Sequence, residues 1–416
     1  MGHGITANEL HELLYSDNTF ALIDVRGQRE YQTGHIFGAS RLENNIIADN
    51  LPVLVPYRDI PIILYSKVSD RAGRAAEILS AKGFSDIRVL DGGISSWINA
   101  GYDTVEGIHV QSKAFGEIVG NIWHELTQIS PAKLKEWLCT DVDNVRILEV
   151  RPVWEVKKTG SIQGAVSVPG YELFPVIEDY VREGRRIVLT CAGRTRSIIA
   201  AASLKRLGYI DNIYELENGT RGWILEGGKL EEAVPASAPT DESKAEAVKR
   251  TAQLAAEEQL RFISPYELQE MRAAGRPVTV IDTRQKALFA QSEHIDGSLS
   301  YEGGQIVQNT DDALIIHNAD YVLADCSDTV PIMTAYWLKR MGIPNISILK
   351  GGISAWKEAG YSVTKESPVL LPDKSAFSEE DLIPDPIAEA KHYIEWESKL
   401  SSQDSYMEYF RRKGVI

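Results

Sequence analysis

The chain of 416 residues contains three cysteines, and one of them, Cys191, stands where a thiol could be made reactive. It opens the stretch Cys191-Ala-Gly-Arg-Thr-Arg196-Ser197, placed between the apolar run Ile187-Val-Leu-Thr190 and a helical pattern that stops at Gly208. A cysteine at a strand end, facing a helix N-terminus, is expected to have a lowered pKa because its thiolate is stabilised there. Arg194 and Arg196 add fixed positive charge and donors shaped for an oxyanion. The backbone amides of Ala192, Gly193, Thr195 and Ser197 are expected to point inward and form an anion-binding nest. Together these residues would make a thiolate nucleophile with a cradle for a small anionic substrate. The plain alternative, an inert buried cysteine, fits poorly with a polar loop that carries a glycine and two arginines.

The loop belongs to a unit that occurs three times, and such internal repeats outrank other sequence signals. Three apolar strands end in an acid two positions before an arginine: Asp24/Arg26, Glu149/Arg151 and Asp282/Arg284. Turns follow at Gly34-His-Ile-Phe-Gly38, Gly160-Ser-Ile-Gln-Gly164 and Glu293-His-Ile-Asp-Gly297. Each unit closes on a Gly-containing turn before Trp97, Trp223 or Trp356, at 73, 74 and 74 residues from its acid. Helices are expected at 72–82, 197–207 and 332–341, with Gly83, Gly208 and Gly342 as their caps. Strands alternating with helices, the strands being continuous apolar runs, read as an α/β fold with a mainly parallel sheet covered on both faces. Strand-to-helix loops are where such a sheet presents ligands.

Counting back from the three capping glycines aligns the loops and puts Ser66, Cys191 and Asp325 at the same position. Ser66 offers a hydroxyl where the middle loop has a thiol, although Arg71 keeps a cation in its loop. Asp325 would repel an anion, Val330 replaces the cation, and Cys326 falls one residue late, pointing away from the nest. Both flanking units therefore read as inactive. His35 and His294 occupy equivalent positions where the middle unit has Ser161, so they read as turn residues. The acid–arginine pairs and the tryptophans occur in all three units and read as structural. Cys139, in a helical pattern, reads as a half-buried inert thiol.

The acid-x-Arg strand, the Gly-x-Ile-x-Gly turn, the Cys-Ala-Gly-Arg-Thr-Arg-Ser loop and the turn before tryptophan resemble the rhodanese (sulfurtransferase) family. The resemblance covers about 24–103, 146–228 and 279–363, as three tandem rhodanese-like domains, and is close to bacterial multidomain rhodanese-related sulfurtransferases. It implies a persulfide on Cys191, formed from thiosulfate or a similar donor, held by loop amides and passed to a thiol acceptor such as glutathione, thioredoxin or a sulfur-carrier protein. It implies no cofactor and no metal, and it makes Glu172 and the turn at Asn218–Arg221 candidates for the pocket border. A Cdc25-like phosphatase or arsenate reductase shares the fold, but its loop has one more residue than the six from Cys191 to Arg196. A non-catalytic scaffold or sulfur-relay protein is the other alternative, and it suits the two flanking units.

The organisation expected is a first domain at 1–103, a partly helical connector at 104–128, the catalytic domain at 129–230, and a Pro/Ala/Ser linker with a charged helix at 231–260. A third domain at 261–366 and a helical tail at 367–416 complete it. Hydrophobic residues at 44% and charged residues at 25% are ordinary for a globular chain. A net charge of −15 argues against nucleic acid or an anionic membrane surface as partner. Too few cysteines for a disulfide framework, and no basic, apolar leader or long apolar run, point to the cytoplasm. The eight histidines pair with no cysteine at metal spacing. Homo-oligomerisation is left open.

Overall fold

The computed structural model describes residues 3–366, 368 and 385–416. The first part of the tail, residues 367 and 369–384, lies outside the described residues. Unit one has a parallel sheet centred on β1 (Phe20–Asp24), β2 (Ile62–Tyr65) and β3 (Ile87–Leu90), with α1 (Ser69–Ala81) crossing between β2 and β3. The connector contributes α2 (Val110–Glu117). Unit two repeats the pattern with β4 (Val145–Glu149), β5 (Arg186–Thr190), α3 (Thr195–Arg206) and β6 (Ile213–Leu216). After α4 (Asp241–Glu257), unit three has β7 (Val278–Asp282), β8 (Asp320–Ala324), α5 (Thr329–Arg340) and β9 (Ile346–Leu349). The tail supplies α6 (Pro386–Glu397) and α7 (Asp404–Arg412).

The crossover helices begin two or three residues earlier than the apolar periodicity suggests, because the loop's own polar residues form their first turn. They end where expected: Gly83, Gly208 and Gly342 follow them with φ of 90°, 86° and 80°, a left-handed conformation that glycine adopts at little cost. Registers agree across the units, pairing Asp24 with Tyr65, Glu149 with Thr190 and Asp282 with Ala324. Each acid thus lies beside the residue that precedes its loop.

The two faces of each sheet have different neighbours. Successive side chains on a strand point to opposite faces. Ile62 and Leu64, Ile187 and Leu189, and Tyr321 and Leu323 enter one apolar core shared by all three units, α4 and the tail. Ile63 and Tyr65, Val188, and Val322 and Ala324 enter three private cores that also hold Trp97, Trp223 and Trp356. Cys191 has the parity of Ile187 and Leu189, so it projects toward the shared core. The connector runs through that core: every residue of α2 is buried, and Phe115 packs edge-on against Trp337.

The connections carry strand pairing that the composition does not suggest. The segment read as a Pro/Ala/Ser linker carries short strands. Leu230–Glu231 pairs with Ser161–Ile162, and Val234–Pro235 extends the unit-two sheet beside Val166–Ser167. Backbone pairing there overrides the loop-like composition. Unit three also lends a strand to unit one, Ile316–His317 running antiparallel to β1, with the His317 ring stacked on Phe20. Among the described residues no helix is long and apolar enough to cross a membrane.

Candidate active site around Cys191

Cys191 directly follows the last residue of β5 and is only 2% exposed. Its carbonyl accepts from Thr220 N–H at 2.8 Å and that of Ala192 from Arg221 N–H at 3.1 Å, which fixes the loop against the Asn218–Arg221 turn. Gly219 makes this approach possible, since a methyl group at that position would overlap the Cys191 carbonyl. Gly93 and Gly352 stand in the same relation to Ser66 and Asp325. Cys191 Sγ lies 3.3 Å from Ser197 Oγ, in the first turn of α3, whose leading N–H groups have no partner within the helix.

The electrostatics differ from the sequence expectation. Burial pushes the Cys191 thiol above its ordinary pKa, and the pull of Arg196 and of the Ser197 hydrogen bond only partly offsets it. The strand parity that sends Cys191 inward is the cause. The two loop arginines are also engaged. Arg194 makes a fork on Glu117 of α2, with Nη2 donating to Oε2 at 2.9 Å, and its Nη1 donates to Asn218 Oδ1 at 3.0 Å. Burial works against the Arg194 charge, and the Glu117 carboxylate more than compensates, so its pKa stays above the ordinary value. Arg196 makes a second fork on Glu155, at 2.6 and 2.9 Å, with its side chain 22% exposed. Neither arginine presents its full fork to an incoming anion.

The tail covers the loop. Thr195 Oγ1 donates to Glu397 Oε1 at 2.8 Å, and Glu397 is wholly buried. The Tyr393 ring lies against Gly193, where a Cβ would come within 2.7 Å of it. Arg221 stacks on Tyr393 with its guanidinium carbon 3.7 Å from the ring centroid, and pairs with Glu389 of the same helix. Lys113 of α2 lies over Tyr393 and Trp396. Beside the loop is a cavity of about 40 Å³, lined by Thr195, Arg196 and Ile199 on one side and Gly304, Gln305 and Gln308 of unit three on the other.

Behind the loop, Ser197 Oγ is 2.7 Å from Glu215 Oε1 and 3.0 Å from the Arg194 carbonyl. Glu215 lies on β6 and is wholly buried, and its Oε2 accepts from Gln128 Nε2 at 2.9 Å. Burial pushes its pKa up to about 8, against opposing hydrogen bonds from Gln128 and Ser197. Glu215 had a signal in the sequence. The registers place it beside Leu189 as Val89 lies beside Leu64 and Ile348 beside Leu323, so it is an acid at an apolar position of the repeat. Glu117, Glu155, Tyr393 and Glu397 had none.

The equivalent loops differ as their residue types require. Ser66 is buried with its hydroxyl turned to the Val68 carbonyl, and Arg71 makes a solvent-facing pair with Glu30. Asp325 accepts from Thr283 Oγ1 at 2.8 Å, and burial raises its pKa. Cys326 is exposed, 3.8 Å from Arg284 Nη1. Cys139 is exposed rather than half-buried, because its helix, Pro131–Thr140, packs through Pro131 and Leu134 instead. Glu172 faces unit three, accepting from Gln285 Nε2 at 2.5 Å.

The acid–arginine pairs are buried clamps. Arg26, Arg151 and Arg284 pair with Asp24, Glu149 and Asp282 at 2.6, 2.7 and 2.6 Å. Each also donates from Nη2 to a turn carbonyl, that of Gly34, Gly160 or Glu293. His35 is buried and stacked on Tyr31, and desolvation lowers its pKa to about 4.

The fold and the loop place the chain among parallel-sheet α/β proteins with a cysteine at a strand-to-helix turn. It belongs to the rhodanese-like domain family, whose model matches residues 6–100, 130–226 and 264–359, more than half of the chain. It is 31% identical over 102 residues to the tRNA uridine(34) hydroxylase of Wigglesworthia glossinidia brevipalpis, covering 24% of this chain and 32% of that one. It is 37% identical over 76 residues to the thiosulfate sulfurtransferase GlpE of Pseudomonas fluorescens, covering 18% and 68%. A probable adenylyltransferase/sulfurtransferase MoeZ of Mycobacterium tuberculosis is 35% identical over 96 residues, covering 23% and 24%. The chain thus spans a third or less of the hydroxylase and of MoeZ. A crystal structure of a thiosulfate sulfurtransferase from Pseudomonas aeruginosa matches 99% of this chain and 98% of its own with a TM-score of 0.85 at 24% identity, a likeness of fold.

Proposed function

We propose that the protein is a cytoplasmic rhodanese-type sulfurtransferase with one competent site, at Cys191, flanked by two inactive domains. One observation carries this reading: of the three equivalent loop positions, only that of unit two holds a thiol, at the end of a central parallel strand and facing the start of α3.

In the reaction proposed, the Cys191 thiolate attacks the outer sulfur of a donor such as thiosulfate. A sulfur–sulfur bond forms to Cys191 while the donor's own sulfur–sulfur bond breaks, and sulfite leaves with the bonding pair. Cys191–S–S⁻ remains, held by the amides of residues 192–197 and the helix N-terminus. An acceptor then takes the outer sulfur and regenerates the thiolate, a ping-pong sequence. The acceptor is a thiol such as glutathione, thioredoxin or a sulfur-carrier protein, or cyanide in an assay. Arg196, the more exposed of the two arginines, guides the dianion, while Arg194 holds the loop's shape through Glu117. Donor entry requires α6 to lift from Gly193 and Thr195.

The test is intact-mass spectrometry after thiosulfate, followed by peptide mapping. One added sulfur on the Cys191 peptide, released by cyanide as thiocyanate and absent in Cys191→Ser of unchanged melting temperature, is the expected result. Full thiosulfate turnover by Cys191→Ser, or sulfur mapped to Cys326, would overturn the assignment.

A further inference from the structure

Two buried positions in line with Cys191 set unit two apart from both neighbours. Ser197, six residues after the loop start, corresponds to Ala72 and Pro331, and Glu215 corresponds to Val89 and Ile348. The unit with the thiol alone carries a hydroxyl and a carboxyl there, and the three groups form one line: Cys191 Sγ to Ser197 Oγ at 3.3 Å, and Ser197 Oγ to Glu215 Oε1 at 2.7 Å. An apolar residue would satisfy packing at position 215, as it does in the other two units. A wholly buried acid costs stability and calls for another reason.

The donors and acceptors supply one. Glu215 Oε2 accepts from Gln128 Nε2, which leaves Oε1 to carry a proton toward Ser197. The Ser197 hydroxyl has one hydrogen and three acceptors in reach: Cys191 Sγ, Glu215 Oε1 and the Arg194 carbonyl. If Glu215 is a carboxylate, it draws that hydrogen. If Glu215 is neutral, its O–H donates to Ser197 Oγ and the serine hydrogen is released. An anionic sulfur then outcompetes the neutral Arg194 carbonyl for it, because charge-assisted bonds are the stronger. A buried carboxylic acid kept neutral so that it can donate is an established catalytic device.

We propose that Glu215, in its neutral form, is a positioning residue that turns the Ser197 hydroxyl onto the sulfur anion of Cys191. Thiolate and persulfide are both stabilised this way, so the inference deepens the sulfur-transfer reading and rests on it for its biological meaning. Burial favours the neutral form up to about pH 8. The charged groups nearest the line are Arg194 and Glu117 on the side of α2, Arg196 and Glu149 beside Cys191, and Glu397 from α6. Glu117 faces Arg194 and Glu155 faces Arg196, so both cations are largely neutralised and the sulfur depends the more on its hydroxyl donor.

The test uses the full chain in a Cys139→Ser/Cys326→Ser background, so that only Cys191 reports. Its thiolate is followed against pH by ultraviolet absorbance and by alkylation with iodoacetamide. In the parent, thiolate and reactivity rise with pH and level off as Glu215 ionises. Glu215→Gln keeps the shape and a donating amide but cannot ionise, so it should match the parent at neutral pH and go on rising beyond about pH 8. Glu215→Leu and Ser197→Ala should each lower reactivity at neutral pH about tenfold or more, the worth of a hydrogen bond to a charged group. The double variant should be no worse than Ser197→Ala alone. Parallel profiles for the parent and Glu215→Gln, or additive losses in the double variant, would overturn the proposal. Should Glu215→Leu fail to fold, Glu215→Gln and Ser197→Ala still decide it. Absence of thiosulfate-derived sulfur on Cys191 would refute the sulfurtransferase reading instead, and leave the alkylation profiles as they stand.

Discussion

Replacing Glu117 by alanine should destabilise the whole molecule although the residue lies outside the three repeated units. Glu117 is wholly buried and Arg194 is 7% exposed. Removing the carboxylate leaves a guanidinium that stays charged in the core, with the acceptors of its Nε and Nη2 gone and Asn218 alone remaining. Breaking one partner of a buried pair costs about 3–5 kcal/mol. At about 2–4 °C per kcal/mol for a large cooperative unit, the melting temperature should drop by roughly 6–20 °C. Scanning calorimetry reads this directly. The shared core makes a single transition the expected form. Glu117→Leu combined with Arg194→Met should recover most of the loss, because an apolar pair of similar size replaces a buried ion pair at little net cost. A Glu117→Ala melting point within about 1 °C of wild type, or no recovery in the double variant, would refute the view that this pair holds the loop.

Two further outcomes follow from the same site. Glu215 has its pKa raised to about 8 from an ordinary 4.5, so between those values the folded protein keeps a proton that the unfolded chain has released. Stability from this group is therefore greatest at acid pH, declines as pH rises through that window, and is flat above it. Urea unfolding across that range should show the decline in wild type and lose that contribution in Glu215→Gln. Tyr393→Ala removes the ring that rests on Gly193 and stacks with Arg221, so Cys191 should be alkylated several-fold faster with the melting temperature nearly unchanged. An unchanged alkylation rate would show that α6 does not limit access.

Much of the fold was legible because its signals are local. The repeated acid–arginine strands, the capping glycines and the tryptophan turns recur at constant spacing, and each does the same local work in every unit: a buried clamp, a left-handed cap, a core side chain. The position of the cysteine loop follows from that alignment, and so does the odd acid at position 215 once the strands are compared. The linker misled because a Pro/Ala/Ser composition says nothing about the strand edge that waits for it.

The amino-acid order by itself thus determined three α/β units, the strand-to-helix loop of each, and the one loop that carries a thiol with two cations. Only the tertiary structure decided which face of each sheet turns inward. That choice buries Cys191 and raises its pKa where the loop alone suggests the reverse. It also decided that Arg194 meets Glu117, 77 residues away, and that Thr195 meets Glu397, 202 residues away. The physical reason is the range of the interactions. Periodicity, caps and turns are set by neighbours a few residues apart, whereas burial and ion pairing at the Cys191 loop are set by segments that meet only when the three units, the connector and the tail close around one core.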